Sequence, residues 1–294
     1  MTQPVSDKWI KCISDQGSIR GVALQATQLV RSVASMHHLT GIHAEVLGEA
    51  LMGALMVASY CKTGEQVNLN VRGSGYSSQA LVDAHPDGAV RGYLLPRSRE
   101  EAFFGEGGDT GPWGVGTLSV LRTKGKPGTQ PYIGTVPLVT GFLAKDLTFY
   151  WLQSEQVPSA VGLAVKTEGD EVVAAGGFLI QAMPQASLSE IKAIEQNIKS
   201  IKSLSEDLTR DADPLHHLAQ IFQNATFMIV QETPLKFKCH CSQERAERAL
   251  ALSGAAELRD ILKNERKASI RCDFCTKEYT ISAKDLERLL ASSA

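Results

Sequence analysis

Apolar and polar positions alternate with period two over residues 8–14 and again over 19–26, with Asp15-Gln16-Gly17 between them, so the chain is expected to open with a β-hairpin. The period then lengthens. Helices are expected over 27–38 and 43–60, the second carrying Val46, Leu47, Ala50, Leu51, Ala54 and Leu55 on one face. Gly48 and Gly53 within it imply close approach of another element, because each costs about 1 kcal/mol relative to Ala in a helix interior. From 66 to 140 the pattern returns to strands, at 67–71, 78–84, 89–95, 116–122 and 133–139, with His85-Pro86-Asp87-Gly88 as a strong turn. A helix over 145–154 and a last hairpin, 160–166 with 172–181 across Glu168-Gly169-Asp170, complete an α+β domain ending near Met183.

Beyond Pro184 the pattern is helical. Ser187-Leu188-Ser189-Glu190 forms a capping box that opens a long helix, on which Ile191, Ile194, Ile198, Ile201, Leu204 and Leu208 make a narrow apolar stripe. Another helix starts at Asp213-Pro214 with Leu215, Leu218, Ile221 and Phe222 inward, and Glu232-Thr233-Pro234 reads as a short hinge. Further on, Ser242 caps a helix that Gly254 ends, and 255–263 continues with Leu258, Ile261 and Leu262 on one face. A strand over 278–281 and a terminal helix capped at Ser282 close the chain. The expected organisation is an N-terminal α+β domain (1–183), a helical linker (184–231) and a small C-terminal domain (232–294).

Candidate chemistry is concentrated in that last part. Four of the six cysteines stand there as Cys239-His240-Cys241 and Cys272-Asp273-Phe274-Cys275, separated by 30 residues. Zinc bound through sulfur takes a tetrahedron of thiolates about 2.3 Å from the metal, and two short-range pairs supply one. The 30-residue spacer exceeds that of an ordinary zinc ribbon and reads as helix, so the pairs meet only if it folds back. Cysteines at i and i+2 on an extended segment point the same way, which leaves His240 outside the expected ligand set. Lys236, Lys238, Arg271 and Lys277 flank the sulfurs and favour thiolates. Cys12 and Cys61 stand apart and are expected as small buried hydrophobes.

Composition narrows the alternatives. The 294 residues are 43% hydrophobic and 21% charged with a net charge of −2, so nothing points to nucleic acid or an anionic membrane. Residues 232–294 carry 12 basic and 10 acidic side chains, too balanced for a nucleic-acid finger. No apolar run precedes Asp7, Lys8 and Lys11, and the most apolar helix candidate, 50–61, spans 12 uncharged residues, short of a bilayer. A reducing, cytoplasmic setting is expected, in which clustered cysteines bind metal or react. There is no Gly-x-Ser-x-Gly or His-Glu-x-x-His sequence, and the glycine-rich stretch 105–111 lacks the Gly-Lys-Ser/Thr ending of a phosphate loop. No catalytic residue is nominated and no enzyme activity is expected.

The CxC and CxxC pairs at this place in a chain of this length resemble the redox-regulated heat-shock protein 33 family, the 33 kDa chaperonins. Asp83-Ala84-His85-Pro86-Asp87-Gly88-Ala89-Val90-Arg91-Gly92-Tyr93, Ser154-Glu155-Gln156-Val157-Pro158-Ser159 and Ala175-Gly176-Gly177-Phe178-Leu179-Ile180-Gln181 extend the resemblance along the chain. It implies one Zn2+ per reduced chain on Cys239, Cys241, Cys272 and Cys275. It also implies an inactive reduced form that peroxide or hypochlorite with heat converts to a homodimer able to hold unfolded client proteins without ATP. The implied disulfides are Cys239 with Cys241 and Cys272 with Cys275, and the stripe from Ile191 to Leu208 would be part of what opens to clients. The alternative is a constitutive structural zinc domain that binds nucleic acid or a protein partner.

Overall fold

The opening hairpin forms as its alternation requires, β1 (Lys8–Ser14) pairing with β2 (Ile19–Gln25) so that Trp9, Val22 and Leu24 are buried. The computed structural model describes residues 6–105, 110–125, 128–223 and 225–292; the stretch 106–109 of the glycine-rich segment lies outside them. The architecture is α+β, and the chain divides into two compact units, Met1–Phe237 and Lys238–Ala294. In the first, α1 (Thr27–Met36) and α2 (Gly41–Ser59) are followed by β3 (Gln66–Gly73), β4 (Ser77–Ala84), β5 (Ala89–Pro96), β6 (Gly116–Thr123) and β7 (Tyr132–Pro137). Next come α3 (Leu143–Ser154), β8 (Ser159–Glu168), β9 (Glu171–Ala182), α4 (Leu188–Ser200), α5 (Leu204–Arg210), α6 (Pro214–Ile221), β10 (Phe227–Pro234) and the short β11 (Lys236–Phe237).

Two sheets result, one ordered β10-β1-β2-β9-β8 and one ordered β11-β5-β4-β3-β6-β7, antiparallel throughout except where β11 runs parallel to β5. Helix α2 packs against strands of both. It is the one described helix long and apolar enough to cross a membrane, and its place in the core accounts for that, since fourteen of its nineteen residues are buried. The small residues foreseen in it are contact points. A Cβ on Gly48 would lie 2.6 Å from Val30 Cγ1 and 2.8 Å from Val165 Cγ2. Gly48→Ala should therefore lower stability by about 1–3 kcal/mol through overpacking, in spite of the better helix propensity of Ala. A urea midpoint at or above that of the parent would refute this. At the β4–β5 turn, Gly88 has φ +80° and its carbonyl accepts the Lys236 N–H at 3.0 Å, which is how β11 is seated.

Three expectations change in the segment after β9. The capping box at Ser187 is present, with the Ser187 N–H donating to Glu190 at 2.9 Å, but the helix it opens ends at Ser200. Ile201 is extended, and the Ser203 hydroxyl accepts the Glu206 N–H at 3.3 Å to start α5, so a second cap replaces the single long helix. Pro214 at the first turn of α6 turns Pro214, His217, Leu218 and Ile221 inward, while Leu215, expected inside, is 37% exposed. Finally, Glu232-Thr233-Pro234 is no hinge but the end of β10, which lies antiparallel to β1 with Met228 opposite Ile13 and Thr233 opposite Trp9. On this outer strand Met228, Ile229 and Val230 are between 50% and 60% exposed.

The second unit contains α7 (Gln243–Ala251), α8 (Ala255–Asn264), β12 (Lys267–Arg271), β13 (Glu278–Ser282) and α9 (Ala283–Ser292). Ser242 caps α7 as the sequence indicates, but α7 ends at Ala251 with Leu252 as its C-cap, and Gly254, expected to end it, instead stands at the N-cap of α8. The hydrophobic centre is small: among the described residues only Ala246, Leu258, Tyr279, Ile281 and Leu286 are buried apolar side chains.

Candidate metal centre

Strands β12 and β13 form an antiparallel hairpin with Arg271 opposite Glu278, and the second cysteine pair occupies its turn. The Cys272 N–H donates to the Lys277 carbonyl at 2.9 Å and the Thr276 N–H to the Cys272 carbonyl at 2.8 Å. Thr276 adopts φ +59°, so the chain reverses tightly and both sulfurs sit at one tip. A thioredoxin-like site would instead open a helix here, and none follows. Helices α7 and α8 carry the intervening residues out and back, so the CxC segment ahead of α7 faces that tip, as the spacing required.

All four sulfurs come together. Cys239, Cys241, Cys272 and Cys275 have ligand atoms within 4.8 Å of one another, and His240 is not among them. Cys239 Sγ lies 3.8 Å from Cys272 Sγ, and Cys241 Sγ lies 3.2 Å from Cys275 Sγ. A tetrahedron with metal–sulfur bonds of about 2.3 Å has edges of about 3.8 Å, so the donor set fits a thiolate-bound divalent metal such as zinc.

One participant escaped the sequence reading. The Tyr279 hydroxyl donates to Cys241 Sγ at 3.0 Å, and the ring beneath it is packed by the Lys277 ammonium 5.2 Å from its centroid. The signal was there in the period-two alternation of β13, which sends Tyr279 and Ile281 to the same buried side. Burial opposes charge on Cys241, but hydrogen bonds from Tyr279 and the neighbouring thiols outweigh it and bring this thiol down to about 7. Burial holds Cys272 above its ordinary value and, together with hydrogen bonding to Cys241, pushes Cys275 up to about 12. The cluster thus favours a thiolate at Cys241, with Tyr279 and Cys275 holding it.

The remaining nominated residues lie elsewhere. Lys236 pairs with Asp87 at 3.3 Å. Ile194 is buried against the β1–β2–β9 face, Ile191, Ile198, Ile201 and Leu204 pack half-buried around the same cluster, and Leu208 is buried over Gly176. Cys12 is buried beside Gly21 and Leu218, and Cys61 is half-buried at the end of α2.

Comparison with known proteins covers nearly the whole chain. The family model described as Hsp33 protein matches residues 7–282. A 33 kDa chaperonin from Geobacter sulfurreducens is 36% identical over 290 residues, covering 97% of this chain and 95% of the relative, and one from Levilactobacillus brevis is 35% identical over 98% and 99%. The crystal structure of the 33 kDa chaperonin (heat shock protein 33 homolog) from Thermotoga maritima superimposes with a TM-score of 0.86 at 31% identity, covering 98% of each chain.

Proposed function

The chain belongs to the Hsp33 family, and from that premise we propose that it is an ATP-independent holding chaperone switched by oxidation of Cys239, Cys241, Cys272 and Cys275. The observation that carries the reading is the convergence of these four thiols on a unit with a meagre core of its own. They would hold one Zn2+ per reduced chain. When bound, zinc would tie the CxC segment to the β12–β13 turn and offset part of the thiolate charge, and sites of this kind contribute roughly 10–16 kcal/mol of apparent folding free energy.

The protein's own part is to present sulfurs that oxidants attack. Each disulfide takes two electrons and two protons from a pair of thiols, and peroxide leaves as two waters. The sulfurs so joined are lost as anionic ligands, and the small unit is left to its meagre apolar core. Residues 184–231 are proposed as the segment that loosens in consequence. Opening α4 and α5 would bare Ile191, Ile194, Ile198, Ile201, Leu204 and Leu208 together with the sheet face they cover, a surface for unfolded clients and for homodimer contact. A cytoplasmic location suits a switch that must stay reduced until stress.

Light scattering from a heat-denatured client tests the reading. Protein treated with peroxide at raised temperature should suppress aggregation without nucleotide, and the reduced, zinc-loaded protein at the same temperature should not. Equal protection by both would identify a constitutive binder instead.

A further inference from the structure

The layer of α4 and α6 over β1, β2 and β9 is mainly apolar, with one polar corner where buried Ser14 and Ser18 meet Glu190 of α4, the Ser18 hydroxyl donating to that carboxylate at 2.5 Å, and a second on the inner face of α6. His217 points inward there at 2% exposure, and neither of its ring nitrogens makes a well-formed hydrogen bond, the Asp211 main chain offering only a weak one. Oε1 of Gln220, on the same short helix, is also buried without a partner. Buried polar atoms without well-formed partners weaken the docking of a helix, and a charge among them weakens it far more.

Charged neighbours offer little rescue. Asp207 of α5 is engaged by Arg210 at 2.6 Å, and Asp211, in the connection to α6, by His216 Nδ1 at 3.3 Å. From the sheet come Ile10, Cys12, Ile19, Ala23, Phe178 and Ile180, and from α4 Ile194 and Ile198, with Asn197 already donating to the Ile221 carbonyl at 2.9 Å. Burial holds His217 below the ordinary histidine value and His216 adds to this; the Asp211 main chain and the Asp207 and Asp211 carboxylates pull the other way and only partly offset it.

We propose that His217 is a proton-sensitive latch on the α4–α6 layer: a proton taken up by its imidazole leaves a buried cation whose nearby carboxylates, Asp207 and Asp211, are already engaged by Arg210 and His216, and the helix lifts to bring it to water. The undocked form binds that proton more tightly than the docked form. Docking is therefore intact above the ordinary histidine value of about 6.5 and weakens as pH falls through it, by at most about tenfold per pH unit for one proton. Because the nominated client-binding stripe belongs to the same layer, acid would lower the threshold for exposing it; that consequence, unlike the latch itself, rests on the function proposed above.

Hydrogen exchange of the full-length, reduced, zinc-loaded chain at pH 7.5, 6.5 and 5.5, corrected for intrinsic exchange rates, tests the latch in the parent, His217→Gln and His217→Leu. The parent should show opening of residues 188–221 that rises toward tenfold per unit below pH 6.5. His217→Gln, which keeps a polar group but cannot titrate, should be flat, and His217→Leu flat with a lower baseline. Peptides from 267–282 report acid loss of metal separately and should behave alike in all three. A slope in His217→Gln equal to the parent's would overturn the proposal. Acid opening unaccompanied by client capture would count against the proposed function and leave the latch standing.

Discussion

Cys239→Ser should strip tight zinc from the reduced protein and melt the Lys238–Ala294 unit, while the two-sheet unit stays folded. The five buried apolar side chains among the described residues of this unit cannot offset the ordering of its backbone, at about 1–2 kcal/mol per residue, so the margin rests on the metal. A hydroxyl at 239 leaves three thiolates and a poor fourth donor. Metal content with a chromogenic chelator and hydrogen exchange over β12 and β13, set against β3 and β6, would show the loss and confine it. A purified variant that keeps one tightly held zinc per chain and a protected hairpin would sink the ligand assignment.

Peroxide in the cold should close mainly Cys272–Cys275 with little gain in client protection, and heat or mild denaturant should then add Cys239–Cys241 and full activity. A disulfide wants Cα atoms about 4.4–6.8 Å apart and a dihedral near 90°, which a CxxC turn such as that between β12 and β13 can meet with little distortion. Cysteines two residues apart close a smaller ring, strained in an ordered chain and more easily reduced. The competing outcome is specific. Across the cluster Cys241 lies 3.2 Å from Cys275 and Cys239 3.8 Å from Cys272, so cross-paired bonds are also within reach. Disulfide mapping by mass spectrometry after peroxide at each temperature separates these cases, and a first bond at Cys239–Cys241 or across the pairs would refute the proposed order.

Much of this was legible in the sequence because local chemistry decided it. The β1–β2 hairpin, the turn at Gly88, the close contacts at Gly48, the caps at Ser187, Ser242 and Ser282, and the meeting of all four thiols follow from residues whose preferences the fold does not override. What stayed hidden depended on distant partners. Phe227–Pro234 looks like a tail into a hinge until β1 is there to pair with it. The stripe from Ile191 to Leu208 keeps one period although the backbone breaks at Ile201, because periodicity records which face is buried and not whether one helix carries it. The alternation of β13 shows that Tyr279 faces inward but not that a thiol 38 positions away meets its hydroxyl, and the burial of His217 likewise depends on strands far off in the sequence.

The pairing of β1 with β10 also sets a timetable for the newborn chain. β2 can cover one side of β1 almost at once, but the other side must wait for residues 227–234, some 200 positions later. At 5–20 residues per second that interval is on the order of 10–40 s. Throughout it β1 keeps an open edge next to Trp9, Ile10 and Ile13, a template for wrong partners. A protein proposed to hold other unfolded chains thus begins its own life in need of shelter, and ribosome profiling of chaperones bound to its nascent chain should show occupancy persisting until β10 has emerged.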